Sequence, residues 1–483
     1  MNRSVLPVFC LLCACVLVIY SCGGPMTNPL RPGASALSVT VTDTPPVGVT
    51  ALSFEVSVTG AVLNPGSVDL LAGRGPVRIE VEQLETESAF LSTASVAPGT
   101  YTSLNLTFAN PELTFKNGTT MTLAGCAPGA VCEIKPTGTL TSLVNFPSPG
   151  LVIQGTPGTP GVMGEDMGGD DEQTAMGIKL DLDVNTIVSE AMGVDFSQSG
   201  AVTVKQLARE MEGEFDDVNE LKGAVQNLDT TKMTFTLHTM NGDFPITTDS
   251  NTRFEFDDCA ANNFSCLANN MVVEVDAMMM PGGIFLAKQI SFEDNAEDDE
   301  MEGVVFKIDD ATHFEMVVLD ELRSLNNVNV GDPVVVTLSN PTFQVQMEDV
   351  TNAPSALVMA FQNATDTSQL LTGQTVEVRL TAPANPGPPV SVMSNRVRLR
   401  MTQFTASVSG APAPPNFMAS NLPSLFTSAG ITSIQVQTSG ATDFDNVTGV
   451  SGLADKDTVS LRGLLFNNGA NPPVLVAKKV RKR

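Results

Sequence analysis

The sequence predicts an all-β chain: an N-terminal antiparallel β-sandwich followed by about three small β-barrel repeats. Three observations lead there. Charged residues make up 16% of the 483, while Gly (39) and Pro (31) are frequent. That balance fits short strands joined by turns better than long salt-bridged helices. Apolar and polar residues alternate with period two along much of the chain, the pattern of half-buried strands. One signature also recurs three times: Leu267, Val273 and Val275; Leu370, Val376 and Val378; Leu453, Val459 and Leu461. A recurring spacing of this kind marks a repeated structural unit.

Composition narrows the function. There are 26 Lys+Arg against 53 Asp+Glu, a formal net charge of -27. So acidic a chain repels phosphate backbones, and no nucleic-acid partner is expected. Trp is absent, and the only tyrosines are Tyr20 and Tyr101, which leaves Phe to supply any aromatic platform. With His238 and His313 the only histidines, a His-based triad or multi-histidine zinc site has almost no raw material. The expectation is a non-enzyme without cofactor or resident metal.

Residues 1–21 read as a lipoprotein signal peptide. Arg3 is a minimal positive start, and 5–20 form an apolar run of signal-peptide length, short for a membrane span. Ile19-Tyr20-Ser21-Cys22 resembles a bacterial lipobox. That resemblance implies that Cys22 becomes the first mature residue and carries acyl chains. Each buried methylene of those chains adds roughly 0.8 kcal/mol of membrane affinity. The expected location is a bacterial cell envelope. Gly23, rather than an aspartate, follows Cys22, which leans toward the outer membrane. Residues 22–35, rich in Gly and Pro, form a tether.

Strand patterns follow over 36–43, 49–63, 76–84, 97–115, 151–154 and 177–188. Leu52, Phe54, Val56 and Val58 share one face, as do Leu104, Leu106 and Phe108. Turn signals between these runs give the sandwich of 36–212. The segment 154–177 is too polar, Gly-rich and acidic to pack and reads as a mobile insertion. Thr42-Asp43-Thr44-Pro45 and Pro98-Gly99-Thr100-Tyr101 resemble motifs of the bacterial lipoprotein family called domain of unknown function 4382. The resemblance implies an exported sandwich with no assigned chemistry.

Three units follow, over 213–295, 296–400 and 401–483. Gly223, Val225 and Asp229 match Gly303, Val305 and Asp309; Thr248, Thr252 and Phe254 match Thr438, Thr442 and Phe444. The third unit lacks a clear opening Gly motif, and 354–363 in the middle unit reads as a short helix. The units resemble the family called domain of unknown function 5666, which implies small barrels similar to the oligonucleotide/oligosaccharide-binding fold. Barrels that bind single strands use basic, aromatic faces. These units are acidic and aromatic-poor, so that activity is not carried over.

Of the eight cysteines, Cys10, Cys13 and Cys15 leave with the leader and Cys22 is the lipid site. Cys126, Cys132, Cys259 and Cys266 remain. In an exported chain they read as two disulfides. Three connectivities are open, and proximity favours Cys126–Cys132 and Cys259–Cys266. Neither loop has a nearby histidine or a Cys-x-x-Cys spacing, which argues against a metal site.

The acidic runs 164–172 and 291–303 lack the Asp-x-Asp-x-Asp-Gly order of a calcium loop and read as solvated linkers. Asp181 and Asp183 share a strand face. Paired carboxylates do acid–base work, but two solvent-facing residues are the expected case. His238 and His313 read as surface residues, and Met278, Met279 and Met280 as packing beneath a turn. The terminal run KKVRKR reads as a last strand with a charged end, within reach of anionic headgroups. The function expected is a noncatalytic, lipid-anchored envelope protein that binds a glycan or protein ligand. The alternatives are a spacer or assembly protein, and a carboxylate-based hydrolase.

Overall fold

The computed structural model describes residues 35–44, 50–71, 75–84, 89–153, 176–207, 217–239, 241–256, 259, 261–280, 284–295, 300–321, 328–345, 353–387 and 389–483. The leader with Cys22, most of the tether, and 154–175 with the acidic run 164–172 lie outside them. The chain is all-β, a two-sheet sandwich followed by three closed five-stranded barrels.

One sheet of the sandwich has the order Val202–Leu207, Met176–Asp183, Ser35–Thr44, Ala89–Val96. The other is built on Thr50–Asn64 and Ser103–Lys116, with Thr141–Asn145, Val131–Ile134, Val77–Glu80 and Val68–Asp69 added to them. Alternation on the two long strands buries Phe54, Val56, Val58, Leu104, Leu106 and Phe108 against Leu91, Ile178 and Leu180 of the facing sheet. With no Trp, Phe196 fills the centre, stacked on Phe108 at a centroid distance of 4.0 Å. Tyr101 is buried, and its hydroxyl donates to the Ala97 carbonyl at 3.0 Å. That bond pins the strand entry as well as filling the core.

Two details differ from the sequence expectation. Ser35–Thr44 and Met176–Asp183 run parallel, so the sandwich is not wholly antiparallel. The long excursion between them supplies the crossover that a parallel pair needs. The pattern over 76–84 is strand only to Glu80; Val81–Leu84 is a 3-10 turn.

In chain order, barrel 1 comprises Asp217–Asp229, Thr234–Thr239, Gly242–Thr247, Met271–Met280 and Ile284–Asn295. Barrel 2 comprises Glu300–Ile308, His313–Glu321, Pro333–Val345, Thr375–Leu380 and Val390–Leu399. Barrel 3 comprises Met401–Ala413, Asn416–Ser420, Ile434–Gln437, Thr458–Phe466 and Val474–Lys482. Each closes in the order 1-2-3-5-4-1, with strands three and five parallel.

The registers of the barrels superpose. Gly223 stands opposite Val273, Gly303 opposite Val376, and Ala406 opposite Val459. The missing glycine of the third unit is therefore Ala406. A Cβ on Gly223 would lie 2.5 Å from the His238 carbonyl oxygen, and one on Gly303 2.2 Å from that of Val317. The first two strands approach too closely there for a side chain. The matched threonines also do the same work in barrels 1 and 3. Thr248 and Thr438 hydroxyls donate to the Met233 and Pro415 carbonyls, at 3.1 and 2.7 Å. Thr252 and Thr442 hydroxyls donate to the Ala287 and Ala477 carbonyls, at 2.7 and 2.8 Å. A 3-10 turn precedes each signature leucine, capped by Asn263 in barrel 1 and Asp366 in barrel 2. Barrel 2 carries the expected helix, Ser355–Gln362, whose buried Phe361 meets Phe343 edge-on at 5.4 Å.

The barrels gather around the sandwich, which touches all three. Asn241 of barrel 1 accepts from the Arg78 amide at 3.1 Å and donates to the Arg78 carbonyl at 3.0 Å, capping an edge strand of the sandwich. The Thr114 hydroxyl donates to the Gly331 carbonyl of barrel 2 at 2.6 Å. Thr50 and Ser424 of barrel 3 pair through their hydroxyls. One apolar cluster joins Leu52 of the sandwich, Phe306 and Val317 of barrel 2, and Leu425 next to barrel 3's third strand.

Candidate functional site

Among the described residues, several arrangements outside the hydrophobic cores bring polar side chains together, and three bear on function. The first is a row of charge between barrels 1 and 2. Arg396 and Arg398 share the outer face of barrel 2's last strand, and Arg400 continues the alternation one residue past its end. Glu300, Glu302 and Glu377 occupy the same face on neighbouring strands. Arg396 pairs with Glu300, Arg398 Nη1 lies 3.0 Å from Glu377, and Arg400 Nε donates to Glu302 at 2.8 Å. Arg400 Nη2 then crosses to Glu274 of barrel 1 at 2.7 Å. Lys222 and Asp320 span the same seam at 3.5 Å. Burial raises the pKa of Glu302, and Arg400 and Lys222 oppose that rise. A seam of this kind fixes orientation; its net stability is small because desolvation offsets attraction.

The acidic run 291–303 is therefore only partly a linker. Glu300 is fully buried at its side chain, and Glu302 is mostly so. Both lie in barrel 2's first strand, and the arginines supply the charge that makes their burial tolerable. The basic end is paired within barrel 3, with one of its cations buried. Arg481 is buried against Asp445, Lys482 pairs with Asp457 at 2.7 Å, and Arg483 donates to Ser460.

The second arrangement is a carboxyl pair between the sandwich and barrel 2. Glu133 on Val131–Ile134 hydrogen-bonds Asp332, in the turn before Pro333–Val345. Burial and that contact push the Glu133 pKa up to about 7; Glu112 acts in the same direction and Lys135 opposes it. The Cys126–Cys132 disulfide ties down the start of this strand, and the Cys259–Cys266 disulfide closes the turn before barrel 1's 3-10 segment. Of the three open connectivities, the neighbour pairs are the ones formed. Buried Asn117 organises the first loop by donating to the Met121 and Cys126 carbonyls, both at 2.8 Å.

The third arrangement is the outer face of strands two and three. In barrels of this order that face is the usual platform for oligonucleotides and oligosaccharides. In barrel 1 it carries Thr234, Thr236, His238, Asp243, Pro245 and Thr247. His238 Nδ1 lies 2.6 Å from Asp243, and both side chains are 56% exposed. In barrel 2 the corresponding Val317 is fully buried in the cluster shared with the sandwich.

The other expected residues fall elsewhere. Asp183 is half-buried rather than solvent-facing, and its carboxylate caps Val184–Ile187 through the Thr186 amide and hydroxyl. Asp181 is half-buried on the same strand. His313 contacts Asp310 at 2.9 Å on the surface; the Thr312 amide and His313 hold the Asp310 pKa down to about 2. Among the described residues, no group of three or more His, Cys, Asp or Glu side chains converges to hold a metal. No described helix is long and apolar enough to cross a membrane.

Comparison with known families reaches barrel 1. A family described as Domain of unknown function (DUF5666) matches residues 222–291. The match begins inside the first strand of that barrel and ends inside its fifth. No curated protein matches the chain.

Proposed function

We propose that this chain is a noncatalytic binding protein, held at a bacterial cell envelope by acyl chains on Cys22, that presents the outer face of barrel 1 to a glycan or protein ligand. The observation that carries the reading is the contrast between equivalent faces. Barrel 2 buries Val317, the equivalent of His238, against the sandwich, whereas barrel 1 leaves His238 and Asp243 open to solvent. The face offers hydroxyls, an imidazole and a carboxylate, groups suited to directional hydrogen bonds with a polar ligand. The lipobox resemblance and the two disulfides support an exported, oxidising location. A spacer made of beads on a string would keep its units apart, and the clustering of three barrels on one sandwich speaks against that alternative. A glycan and protein array probed with the fragment from Gly23 onward tests the proposal; absence of any hit above background would sink it.

A further inference from the structure

Thr141–Asn145 ends one side of the six-stranded sheet of the sandwich. It pairs with Ser103–Lys116 without a register shift, from Thr141 opposite Thr107 to Asn145 opposite Ser103. After the turn at 147–150 the chain resumes the same edge, where Leu151–Ile153 pairs with Gly99–Tyr101. Among the described residues, no strand pairs with either segment from the other side. The Phe108 amide donates to the Leu140 carbonyl at 2.8 Å, and the Phe146 amide to the Thr102 carbonyl at 2.9 Å. Even-numbered residues therefore bond into the sheet, and alternation turns the N–H and C=O of Thr141, Leu143 and Asn145 outward from its edge.

Natural sheets guard such an edge with charge, proline or a covering group. The opposite side of this sheet is guarded in that way. Asn241 caps Arg78, and Val68–Asp69 is two residues long and ends on a carboxylate. Thr141–Asn145 has no guard. The chain carries no charged residue from Pro136 to Gly164, nor from Gly99 to Thr107 on the neighbouring strand. On a chain of net charge -27, a second copy approaching here meets no like charge on either strand. Leu143 is 59% exposed and Val152 37%, both on this edge.

From this placement we infer that the edge joins two copies of the chain by antiparallel strand addition, about a two-fold axis at Leu143. Leu143 is the middle one of the three outward-turned residues, so an axis there engages all of them. Leu143 meets its counterpart, and Thr141 meets Asn145 of the second copy. Each of the three residues donates one backbone hydrogen bond across the axis and accepts one. The contact is self-complementary, as a two-fold interface requires, and main-chain bonds supply its register. It belongs to the sandwich and does not depend on the binding face of barrel 1.

Sedimentation velocity over a range of concentrations tests the inference on the chain from Gly23 onward, which keeps every described residue. A concentration-dependent dimer is expected, with slower hydrogen exchange over 141–145 as it forms. Salt should tighten it by screening the repulsion between two acidic copies. Leu143→Lys sets like charges opposite each other and should weaken the dimer roughly tenfold. The side chain is exposed, so the fold should survive the change. Asn105→Lys, beside Leu143 on the neighbouring strand, leaves the edge free and should keep the dimer. A monomer at every concentration, or a dimer that Leu143→Lys does not weaken, overturns the inference. Equal weakening by both variants would mean packing through the sheet face, and overturns it too.

Discussion

Arg400 reaches out of barrel 2 to place its Nη2 2.7 Å from Oε2 of Glu274 in barrel 1, while its Nε holds Glu302 of its own barrel. One buried guanidinium thus orders two domains. Arg400→Ala would leave Glu274, 5% exposed, as a buried charge without its cross-domain cation, at a cost of about 3–5 kcal/mol. Thermal unfolding should show barrels 1 and 2 melting earlier. Adding Glu274→Gln to that variant should recover part of the loss, and a double-variant cycle measures how much.

The glycine at the crossing of strands one and two makes a second, sharper claim. Gly303→Ala forces a Cβ against the Val317 carbonyl and should destabilise by about 1–3 kcal/mol. Ala406→Gly at the equivalent place in barrel 3 should cost only about 0.5–1 kcal/mol, the ordinary flexibility penalty. Denaturant melts of the two variants check the order; equal effects would mean that the two positions are not equivalent.

Anchoring is tested by metabolic labelling with radioactive palmitate in a bacterial host. Wild type should incorporate label and Cys22→Ala should not. Equal labelling of both would refute the lipid anchor.

Much of the architecture was legible because strands write themselves as period-two alternation. The repeats were legible because Thr248, Thr252, Thr438 and Thr442 make the same hydrogen bonds in two barrels. Ala406 leaves no glycine signature in the third unit because the crossing in barrel 3 tolerates one methyl. The burial of Glu300 and Glu302 was hidden because their run is acidic throughout and their arginines lie far along the chain. A signal for it did exist: Arg396, Arg398 and Arg400 alternate in a chain otherwise poor in cations, which places three positive charges on one strand face. The docking of the sandwich onto all three barrels left no pattern, since single contacts such as Thr114 with Gly331 have no period to read. The Glu133–Asp332 pair was missed for the same reason, each residue being ordinary until the other domain is in place.

The most direct test of the account compares array binding by the fragment from Gly23 onward with that of the same fragment carrying His238→Ala and Asp243→Ala. Both side chains are exposed, so the fold should survive their removal. The account predicts a ligand bound by the parent fragment and lost by the variant. A ligand bound equally by both would contradict the assignment of the barrel 1 face.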